Sequence, residues 1–273
     1  MLFFWRHNKM KRFVLSTPPN PDGMIHLYEK DCHYLVRVRR LKNGMCFDAI
    51  LPGGTETQVR VLSTVDNILI GECLGSWKEA GGPSTTLSPP ATLALFQGLP
   101  RGAKMDLIVR QAAEMGVSFV VPFQSEYSTA KQGVNPAGKI NRWERIVKEA
   151  RQQSGSSGET KVFPPCGFDA IFGHWESLKK GCRRPQGILL HQEPLEKGSF
   201  HGYLGSSPDF VAIAVGPEGG FSPREVPLFL AAGFKPVVIG NNILRTETAA
   251  ISGIAAIRII ILENKNWSPG PTE

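Results

Sequence analysis

Twice in its last third the chain runs an apolar stretch into a glycine and restarts as a helix, a pattern that few folds accommodate twice in quick succession. Phe210 to Val215 (F-V-A-I-A-V) is apolar throughout and stops at Gly216, as a strand buried on both faces does. After the loop Gly216-Pro217-Glu218-Gly219-Gly220, Ser222 to Glu225 spell a capping box with Pro223 at the first helical position. Gly233 offers the left-handed residue that closes such a helix. A second apolar run, Pro236 to Ile239, stops at Gly240, and a second helix opens near Thr246. Two strand–loop–helix units are therefore expected side by side in a parallel sheet. Both loops fall at the carboxyl ends of their strands, where open α/β sheets bind ligands.

Upstream the pattern changes twice. Arg12 to Leu15, His33 to Arg39, Met45 to Ile50, Gln58 to Thr64 and Ile68 to Cys73 read as short strands separated by turn residues, which predicts a small β-barrel over residues 10–74. Residues 75–90, with three prolines and little hydrophobicity, read as a linker. From Ala91 to residue 265 strands alternate with helices: strands at Ala91 to Phe96, Val117 to Phe123 and Gly187 to His191, helices at Lys104 to Met115 and Lys139 to Gln153. The second helix carries Trp143, Ile146, Val147 and Ala150 at helical spacing. Residues 1–9 read as an extension, with Met10 as a second candidate start, and 266–273 as a tail.

Charge and cysteine usage narrow the function classes. Lys and Arg exceed Asp and Glu by 31 to 24, a formal charge of +7, which favours a polyanionic partner such as nucleic acid. The five cysteines form no C-x-x-C, so neither a zinc ribbon nor a disulfide framework is indicated, and a cytoplasmic location is expected. The six histidines show no metal spacing. No stretch has the length and apolarity of a membrane span, and the apolar Met1 to Trp5 precedes its basic residues, the reverse of a secretory signal.

Each candidate motif has an ordinary structural reading beside the functional one. The loop at Gly216 to Gly220 is either a ligand cradle or a tight turn; lacking G-x-G-x-x-G, it is not a dinucleotide fingerprint. Gly133 to Lys139 (G-V-N-P-A-G-K) approaches a phosphate loop, but Ile140 replaces the hydroxyl residue that holds magnesium, so it reads as a chance match. Arg245, Thr246 and Glu247 form either a helix cap with a surface ion pair or a site where charge meets a ligand. His191 stands at a strand end, where it can line a ligand edge or serve structure alone. Alternation along the segment Leu35 to Lys42 (L-V-R-V-R-R-L-K) puts Arg37 and Arg39 on one strand face and Arg40 in phase with Val36 and Val38, and with Lys11 and Arg12 this is either a phosphate-binding patch or a solvated face.

Taken together, the motifs resemble the RsmE family, methyltransferases that use S-adenosylmethionine to modify uridine N3 in small-subunit (16S) ribosomal RNA. G-P-E-G-G-F-S-x-x-E stands at Gly216 to Glu225, and L-G-x-x-I-L-R-T-E-T-A at Ile239 to Ala249, with isoleucine for the first leucine. Phe96 to Val117, Glu149 to Ser154 (E-A-R-Q-Q-S), Arg12 to Val14 and His33 to Arg40 resemble further family segments. The likeness covers the chain from about Met10 to Glu263. In two places the chain departs from it: Ser156 and Ser157 stand where arginine is usual, and Arg39 where leucine is.

The resemblance implies a SPOUT-type α/β domain, mostly parallel and knotted as a trefoil at its C-terminal end, preceded by a PUA-like RNA-binding β-barrel, in a homodimer. It implies a cofactor site built from Leu190, His191, Gly216, Pro217, Glu218, Gly219, Gly220, Ile239, Gly240, Ile243, Leu244, Arg245 and Thr246. Arg245 is then expected to stabilise the uridine anion, and Glu247 either to take the N3 proton or to orient Arg245. Lys11, Arg12, Arg37 and Arg40 are expected to grip RNA, with no metal involved. The substrate is ribosomal RNA or the assembled small subunit. Two other readings share the basic charge: a non-enzymatic RNA-binding assembly factor, and a SPOUT enzyme acting on ribose or on transfer RNA.

Overall fold

The computed structural model of this protein describes residues 12–52, 55–74, 91–129, 136–154, 156 and 158–266. The expected extension, Lys11, the linker 75–90, Ser157 and the end of the tail lie outside the described residues, as do residues 133–135 of the phosphate-loop look-alike. The chain divides into two compact units, 1–85 with 151–157 and 86–150 with 158–273.

The first unit is a five-stranded sheet in the order β1-β3-β4-β5-β2. Its strands are β1 (Phe13–Val14), β2 (Met24–Leu27), β3 (Cys46–Ile50), β4 (Glu56–Val65) and β5 (Ile68–Leu74). Strict alternation of burial along β5 turns Leu69, Gly71 and Cys73 inward, onto a core that includes Phe13, Leu35, Phe47 and Val61. Asp66 and Asn67 join β4 to β5 with φ of 51° and 61°, as a two-residue hairpin turn of matching twist needs.

One expected strand is helical. His33 to Arg39 is not extended: α1 (Glu29–His33) passes directly into a π-helical stretch, Tyr34–Val38. The buried residues Cys32 and Leu35 lie three apart, a helical period, and the alternating Val36 and Val38 of the sequence reading are not both buried, since Val38 is 61% exposed. Arg37 and Arg39 therefore do not share a strand face. Arg37 and Arg40 are exposed, Arg40 at φ 57°, while the Arg39 guanidinium lies over the Tyr34 ring at 5.5 Å. Arg12 is ion-paired with Glu56 at 2.9 Å.

The second unit is a mixed α/β structure on a seven-stranded sheet whose pairings are all parallel, in the order β12-β10-β11-β6-β7-β8, with β9 also on β7. The strands are β6 (Thr92–Gly98), β7 (Phe119–Gln124), β8 (Lys161–Val162), β9 (Cys166–Gly167), β10 (Pro185–Leu190), β11 (Phe210–Val215) and β12 (Phe234–Val237). The helices are α2 (Lys104–Glu114), α3 (Pro136–Ser154, whose residues 151–154 are counted with the first unit), α4 (Ala170–Leu178), α5 (Phe200–Leu204), α6 (Glu225–Ala231) and α7 (Thr246–Asn266). The unbroken apolar runs are explained by burial on both faces. Leu93, Leu95, Val211, Ile213 and Val215 pack on one side with α2, α3 and α7. Ala94, Phe96, Phe210, Ala212 and Ala214 pack on the other with Phe229 and Trp175.

The two strand–loop–helix units are not side by side, as the sequence suggested: β10 pairs with both β11 and β12 and lies between them. Chain order alone could not show this, because α6 carries the chain over β10 before β12 begins. At Gly187 in β10, an added Cβ would come 2.9 Å from the Phe234 ring. A side chain there would press on that ring, so glycine leaves the Phe234 side chain its place against β10.

α7 closes the unit. The Arg258 guanidinium, partly buried, donates to the carbonyls of Met115 (3.2 Å), Gly116 and Ala91, and burial lowers its pKa. Among the described residues no helix is long and apolar enough to cross a membrane, and no cluster of metal-ligating side chains occurs.

Candidate active site

The carboxyl ends of β10, β11 and β12 surround a single pocket, built by three loops. Leu190 and His191 come from the first, Gly216, Pro217, Glu218 and Gly220 from the second, and Ile239, Ile243, Leu244 and Thr246 from the third. Ten residues singled out from the sequence are thus brought together. Gly219, Gly240 and Arg245 are not on the lining: Gly219 turns toward Tyr127, and Arg245 is exposed at the start of α7. Gln192, Val215, Phe221, Val238, Asn242 and Ala249 also line the pocket and were not singled out: Phe221, Asn242 and Ala249 stand inside the two motifs, and Gln192, Val215 and Val238 directly beside the strand ends.

The second loop is fixed at both ends. Ser222 and Glu225 make the reciprocal bonds of the expected capping box, Ser222 N to Glu225 Oε2 at 2.9 Å and Glu225 N to Ser222 Oγ at 3.3 Å, but Pro223 lies in a turn and α6 begins only at Glu225. The Glu225 carboxylate, 2% exposed, does more. It accepts from Ser125 Oγ at 3.0 Å and from Glu126 N at 2.9 Å, so the loop after β7 hangs on the same group. Glu225→Ala leaves those donors without their charged acceptor, and should cost about 3 kcal/mol. In a unit of this size that is a fall of roughly 6–12 °C in melting temperature. A thermal melt within two degrees of the parent would contradict this account of the carboxylate.

At its other end the loop meets β6. Gln97, fully buried, donates from Nε2 to Thr246 Oγ1 at 2.9 Å, and Thr246 donates in turn to the Gly216 carbonyl at 2.6 Å. One buried amide therefore joins the first pocket residue of the second loop to that of α7. Gln97 Oε1 is buried without a hydrogen-bond partner among the described residues. A glutamine that directly follows the apolar run Leu93 to Phe96, still within the strand, was the sequence signal for this role.

The rim is charged. Glu218 accepts from Arg101 N at 3.1 Å and from Lys104 Nζ at 2.8 Å. Partial burial works to raise the Glu218 pKa, but the hydrogen bonds from Lys104 and the backbone outweigh it and hold the group below its usual value. The same hydrogen bond to Glu218 raises the pKa of Lys104. Lys104 also reaches Glu247 Oε2 at 3.4 Å. Arg245 makes no side-chain hydrogen bond or ion pair among the described residues, so its cation is available. His191 lines the pocket with Nδ1 held 3.1 Å from both N and O of Glu193.

Comparison with known proteins decides the family. An RNA methyltransferase domain matches residues 87–258. Ribosomal RNA small subunit methyltransferase E of Synechocystis sp. is 30% identical over 253 residues, 92% of this chain and 78% of that protein. The chain belongs to the RsmE family of RNA methyltransferases. Among other RsmE proteins, that of Aquifex aeolicus is 35% identical over 173 residues, 63% of this chain and 70% of its own length. The crystal structure of the Neisseria gonorrhoeae RsmE protein bound to S-adenosyl methionine superposes with a TM-score of 0.75 at 26% identity, covering 92% of this chain and 98% of that one. RsmE membership accounts for the two glycine loops at once: both belong to the matched domain, and both open on the pocket.

Proposed function

We propose that this protein methylates N3 of a uridine in small-subunit (16S) ribosomal RNA, with S-adenosylmethionine as donor. The observation that carries the reading is the convergence of two glycine loops and a third strand end on one pocket. The residues present fit the cofactor. Apolar side chains such as Leu190, Val215 and Leu244 suit the faces of a purine. At Gly216 an added Cβ would stand 2.9 Å from the Gly220 backbone, so the cradle is walled by main chain and can be read through backbone N–H and C=O groups. Gly240 and Gly219 shape the loops from outside the lining.

The bound cofactor supplies an electrophilic methyl on a sulfonium. The protein must bring N3 into line and help it lose its proton, because neutral N3 is a poor nucleophile. Arg245, a permanent cation without a side-chain partner among the described residues, stabilises the uridine anion. Glu247 acts in the same step, as acceptor of the N3 proton or as the group that orients Arg245. Glu218, held ionised by Lys104 and Arg101 N, shapes the loop.

In this reading residues 91–265 form the methyltransferase domain, knotted as a trefoil by the C-terminal segment that holds both motifs, and residues 10–74 a PUA-like barrel that holds RNA through Lys11, Arg12, Arg37 and Arg40. Arg12 would have to exchange Glu56 for a phosphate, whereas Arg37 and Arg40 are already exposed. The enzyme works as a homodimer in the cytoplasm, on ribosomal RNA or the assembled small subunit.

The test is incubation of purified protein with methyl-labelled S-adenosylmethionine and small subunits lacking the modification, followed by nucleoside separation. Label in 3-methyluridine is expected. Label in any other nucleoside, or none while a family enzyme labels the same particles, would refute the assignment.

A further inference from the structure

At the rim of the pocket one ammonium serves two carboxylates that come from different pocket loops. Lys104, the first residue of α2, lies 2.8 Å from Glu218 Oε1 and 3.4 Å from Glu247 Oε2. Glu218 belongs to the loop after β11, and Glu247 to the first turn of α7. Their side chains are 29% and 15% exposed, so solvent only partly screens them. The nearby guanidinium of Arg101 donates to Thr129 instead, and no bond joins Arg245 to either carboxylate among the described residues. The three groups together therefore carry one net negative charge beside a site for a cationic ligand.

We propose that Lys104 is a positioning residue of the methyl-donor site: it ties two pocket loops together through their carboxylates and sets how strongly the site prefers the charged cofactor to the uncharged-sulfur product. The inference rests on the function proposed above. Methyl transfer converts the cofactor's sulfonium to a thioether, so the donor carries one more positive charge than the product. A rim charge changes the affinity of one and hardly that of the other. With Lys104 present, one of the two carboxylate charges is offset; without it, neither is.

The experiment measures dissociation constants of the full-length protein for S-adenosylmethionine and S-adenosylhomocysteine by calorimetry. A unit charge at a half-solvated rim changes the binding of a cation by about three- to fivefold. Lys104→Met should therefore raise the ratio of product to donor dissociation constants by about that factor, on top of any weakening common to both ligands. Glu247→Gln should lower the ratio by a similar factor, and Lys104→Arg should leave it near the parent value. A purely structural lysine would weaken both ligands equally. Ratios in Lys104→Met and Glu247→Gln that match the parent would overturn the proposal. If Lys104→Met does not melt cooperatively, Glu247→Gln decides alone, since it breaks the same bridge from the other side. A parent protein that binds neither ligand would sink the proposed function and this inference with it; normal binding with unmoved ratios sinks the inference only.

Discussion

Gly98→Ala is expected to cost the protein its cofactor pocket before it costs the fold. A Cβ on Gly98, the last residue of β6, would lie 2.6 Å from Pro217 Cδ, 2.8 Å from Pro217 N and 3.1 Å from Gly216 C. These are ring and backbone atoms, with no rotamer to yield, so the loop itself must shift. Gly216 and Pro217 both line the pocket, and the Thr246 bond to the Gly216 carbonyl would be strained by the same movement. Overpacking of this kind costs about 1–3 kcal/mol, which the unit should survive. Affinity for S-adenosylmethionine should fall by roughly 100-fold, the equivalent of about 2.7 kcal/mol. Gly173→Ala in α4 is the control: a Cβ there meets nothing within 4 Å, and both melting and binding should hold. Unchanged cofactor affinity in Gly98→Ala would show that the contact between β6 and the loop does not shape the site.

Arg245→Ala should do the opposite, sparing the fold and stopping the chemistry. The side chain is exposed and without a partner among the described residues, so truncation should change stability by no more than about 0.5 kcal/mol. Among the described residues its cation is unpaired at the start of α7, where the proposed mechanism needs a group to meet negative charge developing on the base. Losing such a donor lowers turnover by roughly 10²–10³-fold. With saturating particles the loss should appear in kcat, and Arg245→Lys should recover part of it, since a point charge remains where the planar fork is gone. Full turnover in Arg245→Ala at saturating substrate would remove this residue from the mechanism.

The strands of the second unit could be read from the sequence because burial on both faces demands unbroken apolar runs, and Phe210 to Val215 and Leu93 to Phe96 supply them. The capping box at Ser222 was legible for a similar reason: its chemistry is local. What could not be read was long-range. That β10 lies between β11 and β12 depends on pairing partners, and no local residue encodes a partner. The pairs β7–β8 and β7–β9 involve two-residue strands, too short for any period to show. The helical turn at Tyr34 was hidden because β-branched residues suggested a strand, whereas Cys32 and Leu35 needed a common buried face. In the site, the glycine loops were visible as motifs, but the roles of Gln97 and Lys104, both inside the segment Phe96 to Val117, were not. Their partners stand 149 and 114 positions away, and only folding brings them near.

Arg258 has a further consequence, for the order in which the second unit can be made. Its guanidinium holds carbonyls of Met115 and Ala91, residues synthesised 143 and 167 positions earlier. Until α7 has left the ribosome, those carbonyls and Gln97 wait for their partners. The first strand of the unit is thus completed by the last of the described helices. A nascent polypeptide should therefore stay protease-sensitive through most of translation, and become resistant in one late step. Such closure between distant segments is slow and exposes unfinished sheet edges to aggregation.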